Sequence, residues 1–162
     1  MIIEGEGVLR EKLETLIHQA QLEETVELWG NIKPDILPLL YGAVDVVIFP
    51  TTHQEGFGLE ALAALSCGRP VLTTKIGALM EILEGIQIQW LVPDRDNRSL
   101  EKLMIAYLKD QITVFQPERI RNILIEQGYS RSSGLQQLKK VFVRDFKQDI
   151  LPKDRAIVSD LD

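Results

Sequence analysis

Apolar residues along the chain follow two alternating spacings. Leu9, Leu13, Leu16, Ile17 and Ala20 recur every three or four positions, which predicts one face of an α-helix. Val26-Glu27-Leu28-Trp29 reads as a short strand stopped by Gly30. Pro34 is placed to open a helix, where its missing N–H costs nothing. Ile36, Leu37, Leu39, Leu40 and Tyr41 give that helix an apolar side, and Pro38 disturbs its first turn. Val44-Asp45-Val46-Val47-Ile48-Phe49 is the strongest strand, nearly all apolar, as expected of a strand covered on both sheet faces. Pro50 ends it. A loop from Thr51 to Gly58 leads into an Ala/Leu-rich helix, Leu59–Cys67, stopped by Gly68. Val71–Thr74 is the next strand, Gly77 opens a short helix over Leu79–Leu83, and Ile88–Val92 is a further strand closed by Pro93. The last third is helical: Leu100–Leu108, then Ile120, Ile123 and Leu124, then Leu135, Leu138, Phe142 and Phe146.

Strands spaced by helices predict βαβ units and a parallel sheet, an α/β fold. In such sheets ligands sit at the carboxyl ends of the strands. Three loops are therefore the places to look for chemistry: Gly30–Pro34, Thr51–Gly58 and Thr74–Ala78. At 162 residues the chain suggests one domain, over 1–150, with a loosely held tail over 151–162 that follows Pro152.

Composition narrows the class further. A hydrophobic content of 45% excludes disorder as the dominant state. No run of about 18 apolar residues predicts a membrane span. The acidic start, Met1-Ile2-Ile3-Glu4-Gly5-Glu6, is unlike a signal peptide. A lone cysteine, Cys67, leaves no internal disulfide and no multi-cysteine zinc site, and a reducing cytoplasmic setting fits best. The net charge is 18 − 24 = −6. Residues 117–162 carry 9 basic and 7 acidic side chains, a net of +2 without a tight basic cluster. A nucleic-acid footprint needs a concentrated basic patch, so nucleic acid is not an expected partner.

The loop after the strongest strand reads Pro50-Thr51-Thr52-His53-Gln54-Glu55-Gly56-Phe57-Gly58-Leu59-Glu60. Two glycines flank Phe57 just before a helix. Small residues let backbone approach a ligand closely, and the helix start presents unpaired N–H groups, a geometry that suits phosphate. The same spacing also suits a tight turn into a buried helix. Glu55 is either a carboxylate placed favourably near a helix dipole or an acceptor for sugar hydroxyls. Spacing alone separates neither pair of readings.

Three strings read together narrow the choice: Glu55-Gly56-Phe57-Gly58-Leu59, then Cys67-Gly68-Arg69-Pro70-Val71, then Gly77-Ala78-Leu79-Met80-Glu81. With Gly5-Glu6-Gly7 and the passage from Leu40-Tyr41 to Asp45, they resemble the C-terminal, donor-binding domain of the retaining GT-B glycosyltransferases of group 1. The resemblance covers roughly residues 2–146. It implies a Rossmann-like parallel sheet flanked by helices, the C-terminal GT-B half without its first strand–helix unit.

The resemblance also implies roles. The amides of Gly56, Phe57, Gly58 and Leu59 hold the diphosphate of a nucleotide sugar. Glu55, the first glutamate of the family's E-x7-E motif, holds the transferred sugar and is the expected catalytic residue. Asn31 and Ile32 border the base, and His53 lies beside the donor sugar or is an ordinary loop histidine. Glu81 matches the glutamate of the family's G-G-x-P-E string, although Met80 replaces the proline, and is expected to order its loop first and contact the donor second. No cofactor and no metal are expected, because fixed donors stabilise the departing diphosphate.

Two departures from the family pattern stand out. The second glutamate of E-x7-E, which binds ribose in the family, falls on Ala63. Losing such a charged hydrogen-bond partner costs about 1.5–3 kcal/mol, or roughly 10–150-fold in affinity. Glu60, three residues earlier on the same helix, points about 60° away from that direction and is a candidate substitute. Second, the family's opening strand, its glycine-arginine loop and its lysine-bearing helix have no counterpart, nor has the acceptor domain. In the usual strand order 3-2-1-4-5-6 that first strand is central. Either the strands at Ile2–Glu4 and Val44–Phe49 pair directly, or another chain fills the slot, or this is part of a longer protein.

His18 reads as a surface histidine, Cys67 as a small core residue, Asp45 as shaping the start of its strand, and Lys75 as solvated. The expected function is the donor-binding part of an enzyme moving a hexose from a nucleotide sugar to an acceptor hydroxyl with retention, inactive without the acceptor domain or another chain completing the sheet. The alternatives are a catalytically incompetent nucleotide-sugar-binding fragment and a non-enzymatic interaction domain.

Overall fold

A computed structural model describes residues 1–52, 57–86, 90–93 and 96–149 of the chain. The elements alternate as the pattern predicts: β1 (Ile2–Glu4), α1 (Arg10–Gln19), β2 (Glu27–Gly30), α2 (Leu37–Ala43), β3 (Val47–Phe49), α3 (Leu59–Ser66), β4 (Val71–Thr74), α4 (Ala78–Glu84) and β5 (Leu91–Val92). Three helices follow: α5 (Asn97–Leu108), α6 (Pro117–Glu126) and α7 (Arg131–Asp149). Every strand pairing is parallel, so the α/β class holds.

The strands form two sheets, β1-β2 and β3-β4-β5. In the first, Ile3 lies opposite Leu28 and Glu4 opposite Gly30, with an irregularity between Ile3 and Glu4. In the second, Val47, Ile48 and Phe49 face Val71, Leu72 and Thr73. Direct pairing of β1 with β3, one of the outcomes the sequence left open, does not occur among the described residues. Both β1 and β3 keep one edge unpaired in the described residues.

That edge explains the largest correction. Val44–Phe49 reads as a long strand covered on both faces, yet β3 spans only Val47–Phe49 and all three side chains are half-buried. Hydrophobicity shows what a strand needs around it, and one flank of β3 lacks it. The fully buried strand is β4.

Other differences are local. Helix α2 begins at Leu37, not near Pro34, and Pro38 sits in its first turn, where a missing N–H has no helical partner to lose. Gly30 ends β2 from inside the strand. The expected strand at Ile88 lies partly outside the described residues, and the described part starts at Leu91 behind the buried Trp90. The 151–162 tail is outside them too. Helix α1 forms over the predicted span but buries none of its residues: Leu16 is 49% exposed, and Leu9 just before it 60%.

The core lies elsewhere. Ala61, Ala64 and Leu65 of α3, Val71 of β4, Leu79, Ile82 and Leu83 of α4, and Ile120, Ile123 and Leu124 of α6 make one buried cluster. Cys67 packs half-buried at its margin, as a small core-edge residue. Trp90 meets Tyr107 edge-on, ring centres 5.5 Å apart, and so joins α5 to the start of β5.

Leu65 is fully buried between α3 and its neighbours, whereas Leu16 is half exposed. Truncating Leu65→Ala should therefore cost about 2–5 kcal/mol and Leu16→Ala within about 0.5 kcal/mol. Urea titrations read both, and equal losses would contradict this placement of the core.

Candidate functional site

The loops that the sequence singled out follow the carboxyl ends of the parallel strands β2, β3 and β4. At β1, the Gly5 N–H donates to the Gly30 carbonyl at 2.9 Å, and Glu4 Oε1 accepts from the Ile32 N–H at 3.4 Å. The loop after β2, with Asn31 exposed and Ile32 half-buried, is thus tied to the end of β1. Arg10 braces the same corner, donating from Nη1 to Glu6 at 2.8 Å and from Nη2 to the Leu28 carbonyl at 3.4 Å. Gly30 makes the corner possible: its φ is +70°, and a Cβ there would stand 2.5 Å from Glu6 Oε1.

At the second sheet, two threonine side chains of β4 reach the end of β3. Thr73 Oγ1 donates to the Phe49 carbonyl and Thr74 Oγ1 to the Thr51 carbonyl, each at 2.6 Å. The chain reaches α3 through Phe57 and Gly58. Gly58 is the N-cap of α3 and is left-handed, φ 76° and ψ 47°. A Cβ at Gly58 would sit 2.5 Å from Leu79 Cδ2, so the turn lies directly against α4. The Phe57 ring packs edge-on against Tyr129, centres 6.2 Å apart, and walls a cleft of about 560 Å3 with Leu62, Gln127, Arg131 and Gln137. Its aromatic group is thereby engaged with the α6–α7 link.

Of the expected site residues, Gly58, Leu59 and Glu60 form the start of α3, and Leu59 and Glu60 are exposed. Ala63 is exposed one turn further along the same helix. Asn31 and Ile32 stand at the neighbouring strand end. Glu81 lies exposed in the first turn of α4, the short helix expected over Leu79–Leu83. His53, Glu55 and Gly56 lie outside the described residues. Lys75 is exposed, and His18 is an exposed surface histidine whose Nδ1 pairs with Glu23 at 2.6 Å.

Sequence reasoning missed three residues of the structure around the site. Thr73 and Thr74 are buried and bonded as above; their signal was a pair of threonines closing an apolar strand. Tyr41 is the third. Burial raises its phenol pKa, and the Glu4 and Glu60 carboxylates raise it further, because a phenolate would face two negative charges. The end of β1, α2 and the first turn of α3 thus share one electrostatic neighbourhood.

Known proteins share both the sequence pattern and the fold. The model of the family described as glycosyl transferases group 1 matches residues 1–131. An uncharacterized glycosyltransferase of Methanocaldococcus jannaschii is 38% identical over 94 residues, 57% of this chain and 24% of that protein. A phosphatidylinositol N-acetylglucosaminyltransferase polypeptide of Homo sapiens is 30% identical over 159 residues, 96% of this chain and 32% of that protein. Anabaena Alr3699/HepE, solved in complex with UDP and glucose, matches with a TM-score of 0.73 at 24% identity, covering 88% of this chain and 40% of its own. TarM matches at 0.66 and 26% identity, over 87% of this chain and 28% of its own. The fold is that of part of a GT-B enzyme. The chain spans 24% to 32% of the length of these two curated relatives. Among the described residues no helix is long and apolar enough to cross a membrane.

Gly58→Ala forces a left-handed alanine against buried Leu79. It should lower stability by about 1–3 kcal/mol in denaturant titration; an unchanged midpoint would mean the turn is not built as described. Tyr41 supplies a pH prediction. Its folded pKa is raised, so its contribution to stability is complete below the unfolded value near 10 and is lost as pH rises from there through the folded value. Tyr41→Phe should flatten that alkaline decline. A decline as steep as in the unsubstituted chain would count against the Glu4–Tyr41–Glu60 grouping.

Proposed function

The chain belongs to the glycosyl transferases group 1 family, and on that premise we propose that it is the donor-binding part of a glycosyltransferase. The enzyme moves a hexose from a nucleotide-diphosphate sugar to an acceptor hydroxyl, with retention. The observation that carries the reading is the left-handed Gly58 that opens α3, the helix following β3. The first N–H groups of a helix have no helical partner and carry the positive end of its dipole, which suits a diphosphate.

In this reading the amides of Gly56, Phe57, Gly58 and Leu59 hold the diphosphate and Glu55 holds the transferred sugar. Asn31 and Ile32 border the base, Glu60 faces the ribose, and His53 and Glu81 flank the donor. Fixed N–H donors take up the charge that develops on the leaving diphosphate, so the step needs no metal. The unpaired edges of β1 and β3 support the partner part of the reading: a parallel strand, from the acceptor-side polypeptide or from another chain, completes the sheet. Without it the unit binds the donor but does not turn over. A cytoplasmic setting accords with the single cysteine.

Three measurements test this. Calorimetric titration with UDP- and GDP-sugars should give heat, and absence of heat with all of them would remove the proposal. In the whole polypeptide Glu55→Ala should abolish transfer while UDP still binds; retained transfer would unseat Glu55. Ala63→Glu restores the family's second glutamate and should tighten donor binding roughly 10–150-fold, the value of a charged hydrogen bond. An unchanged affinity would mean that the ribose does not lie within reach of position 63.

A further inference from the structure

We infer that Thr74 is a positioning residue for the candidate diphosphate turn, holding through its hydroxyl the point at which the loop leaves β3. The inference rests on the donor-binding reading above and adds a residue to it.

The ladder between β3 and β4 ends at the pair Phe49–Thr73. Thr51 lies two residues beyond it, where the chain departs toward Gly58. Its carbonyl accepts the Thr74 hydroxyl at 2.6 Å. Thr74 is itself a fixed post. It is buried, pairs with Val92 of β5, and its own carbonyl accepts the Ile76 N–H at 2.9 Å. The next residue, Lys75, donates its N–H to the Val92 carbonyl at 2.8 Å. The other end of the loop rests on the same unit, because Gly58 lies against Leu79 of α4, the helix that follows β4. Both described ends of the loop are therefore referenced to one β4–α4 body.

Thr73 provides an internal control. It is equally buried and makes the same bond at the same length, but to Phe49, a carbonyl inside the ladder that also accepts the Thr51 N–H at 2.9 Å. Removing the Thr73 hydroxyl disturbs the strand pair. Removing that of Thr74 releases the exit of the loop.

The experiment compares Thr74→Val, Thr74→Ser and Thr73→Val in the whole polypeptide. Affinity is read by calorimetry with the tightest of UDP-glucose, GDP-mannose and ADP-glucose, beside thermal unfolding. Both valine variants should lower the melting temperature to a similar degree. Thr74→Val should weaken the nucleotide sugar about tenfold, the loss of roughly one hydrogen bond's worth of positioning, while Thr73→Val stays within about twofold. Thr74→Ser, which keeps the hydroxyl, should bind like the unsubstituted protein. If Thr74→Val does not fold, Thr74→Ala, which sets no methyl against the Thr51 carbonyl, takes its place. Equal affinity losses at positions 73 and 74, no rescue by serine, or undiminished binding by the position 74 variants would overturn the inference. Failure of the unsubstituted protein to bind any of the three sugars would instead strike the donor-binding reading itself.

Discussion

Strand β4 is buried from end to end, and the position of the candidate site follows from that burial. Val71, Leu72, Thr73 and Thr74 are each less than 5% exposed, with β3 on one side and β5 on the other. Two of the four carry hydroxyls, and a buried hydroxyl without a partner costs about 1–3 kcal/mol. Thr73 finds the carbonyl of Phe49, which ends β3, and Thr74 that of Thr51, two residues beyond. The register of β3 against β4 is therefore set twice, by the ladder and by side chains. A slip of one residue would break both bonds and turn each side chain to the wrong face of the sheet. The loop that leaves β3 takes its starting point from the second of these bonds, at Thr51.

The rest of the molecule is held less evenly. The buried cluster draws almost wholly on α3, β4, α4 and α6. The β1–α1–β2 unit contributes no side chain to it. That unit is held by its own strand pairing and by exposed ion pairs of Arg10 with Glu6 and Glu14, a kind of pair worth about 0–1 kcal/mol. Its apolar face on α1 and the free edges of β1 and β3 are the same deficit seen twice: apolar and hydrogen-bonding surface with no neighbour among the described residues. The matched stretches of this chain make up 24% and 32% of the two curated proteins compared.

How much was legible in the sequence follows from the range of the interactions concerned. β4 and α3 are read almost to the residue, because Gly68 stops the helix and a short apolar run between turn signals identifies the strand. The length of β3 is not, since Val44 and Val46 have strand-like side chains but no strand beside them to make a ladder. Apolarity does not distinguish a covered strand from one lacking its neighbour. At the site, glycine punctuation around Phe57 announces the turn, and Gly58 is left-handed as that punctuation requires. The threonine hydroxyls were not legible as anchors. Threonine is an ordinary strand residue, and the carbonyls it meets here are 23 and 24 positions away in sequence. Tyr41, influenced by Glu4 and Glu60, is a grouping of the same long-range kind. Glu55, the acidic side of the site, stands on the sequence and its family resemblance.

The packing bears on chemistry through preorganisation. A donor set stabilises developing charge most when it need not move to do so, because reorganisation at the moment of reaction consumes the gain. Main-chain N–H groups in a loop meet that condition only if the loop's ends are fixed to something stiffer than the loop. Here the described ends meet a strand paired on both sides and a helix whose inward residues Leu79, Ile82 and Leu83 are fully buried. The left-handed glycine permits that approach, since any side chain at position 58 would have to displace Leu79. Stability and the proposed function are coupled at this point: the contacts that fill the core beneath α3 also hold the described end of the turn in place.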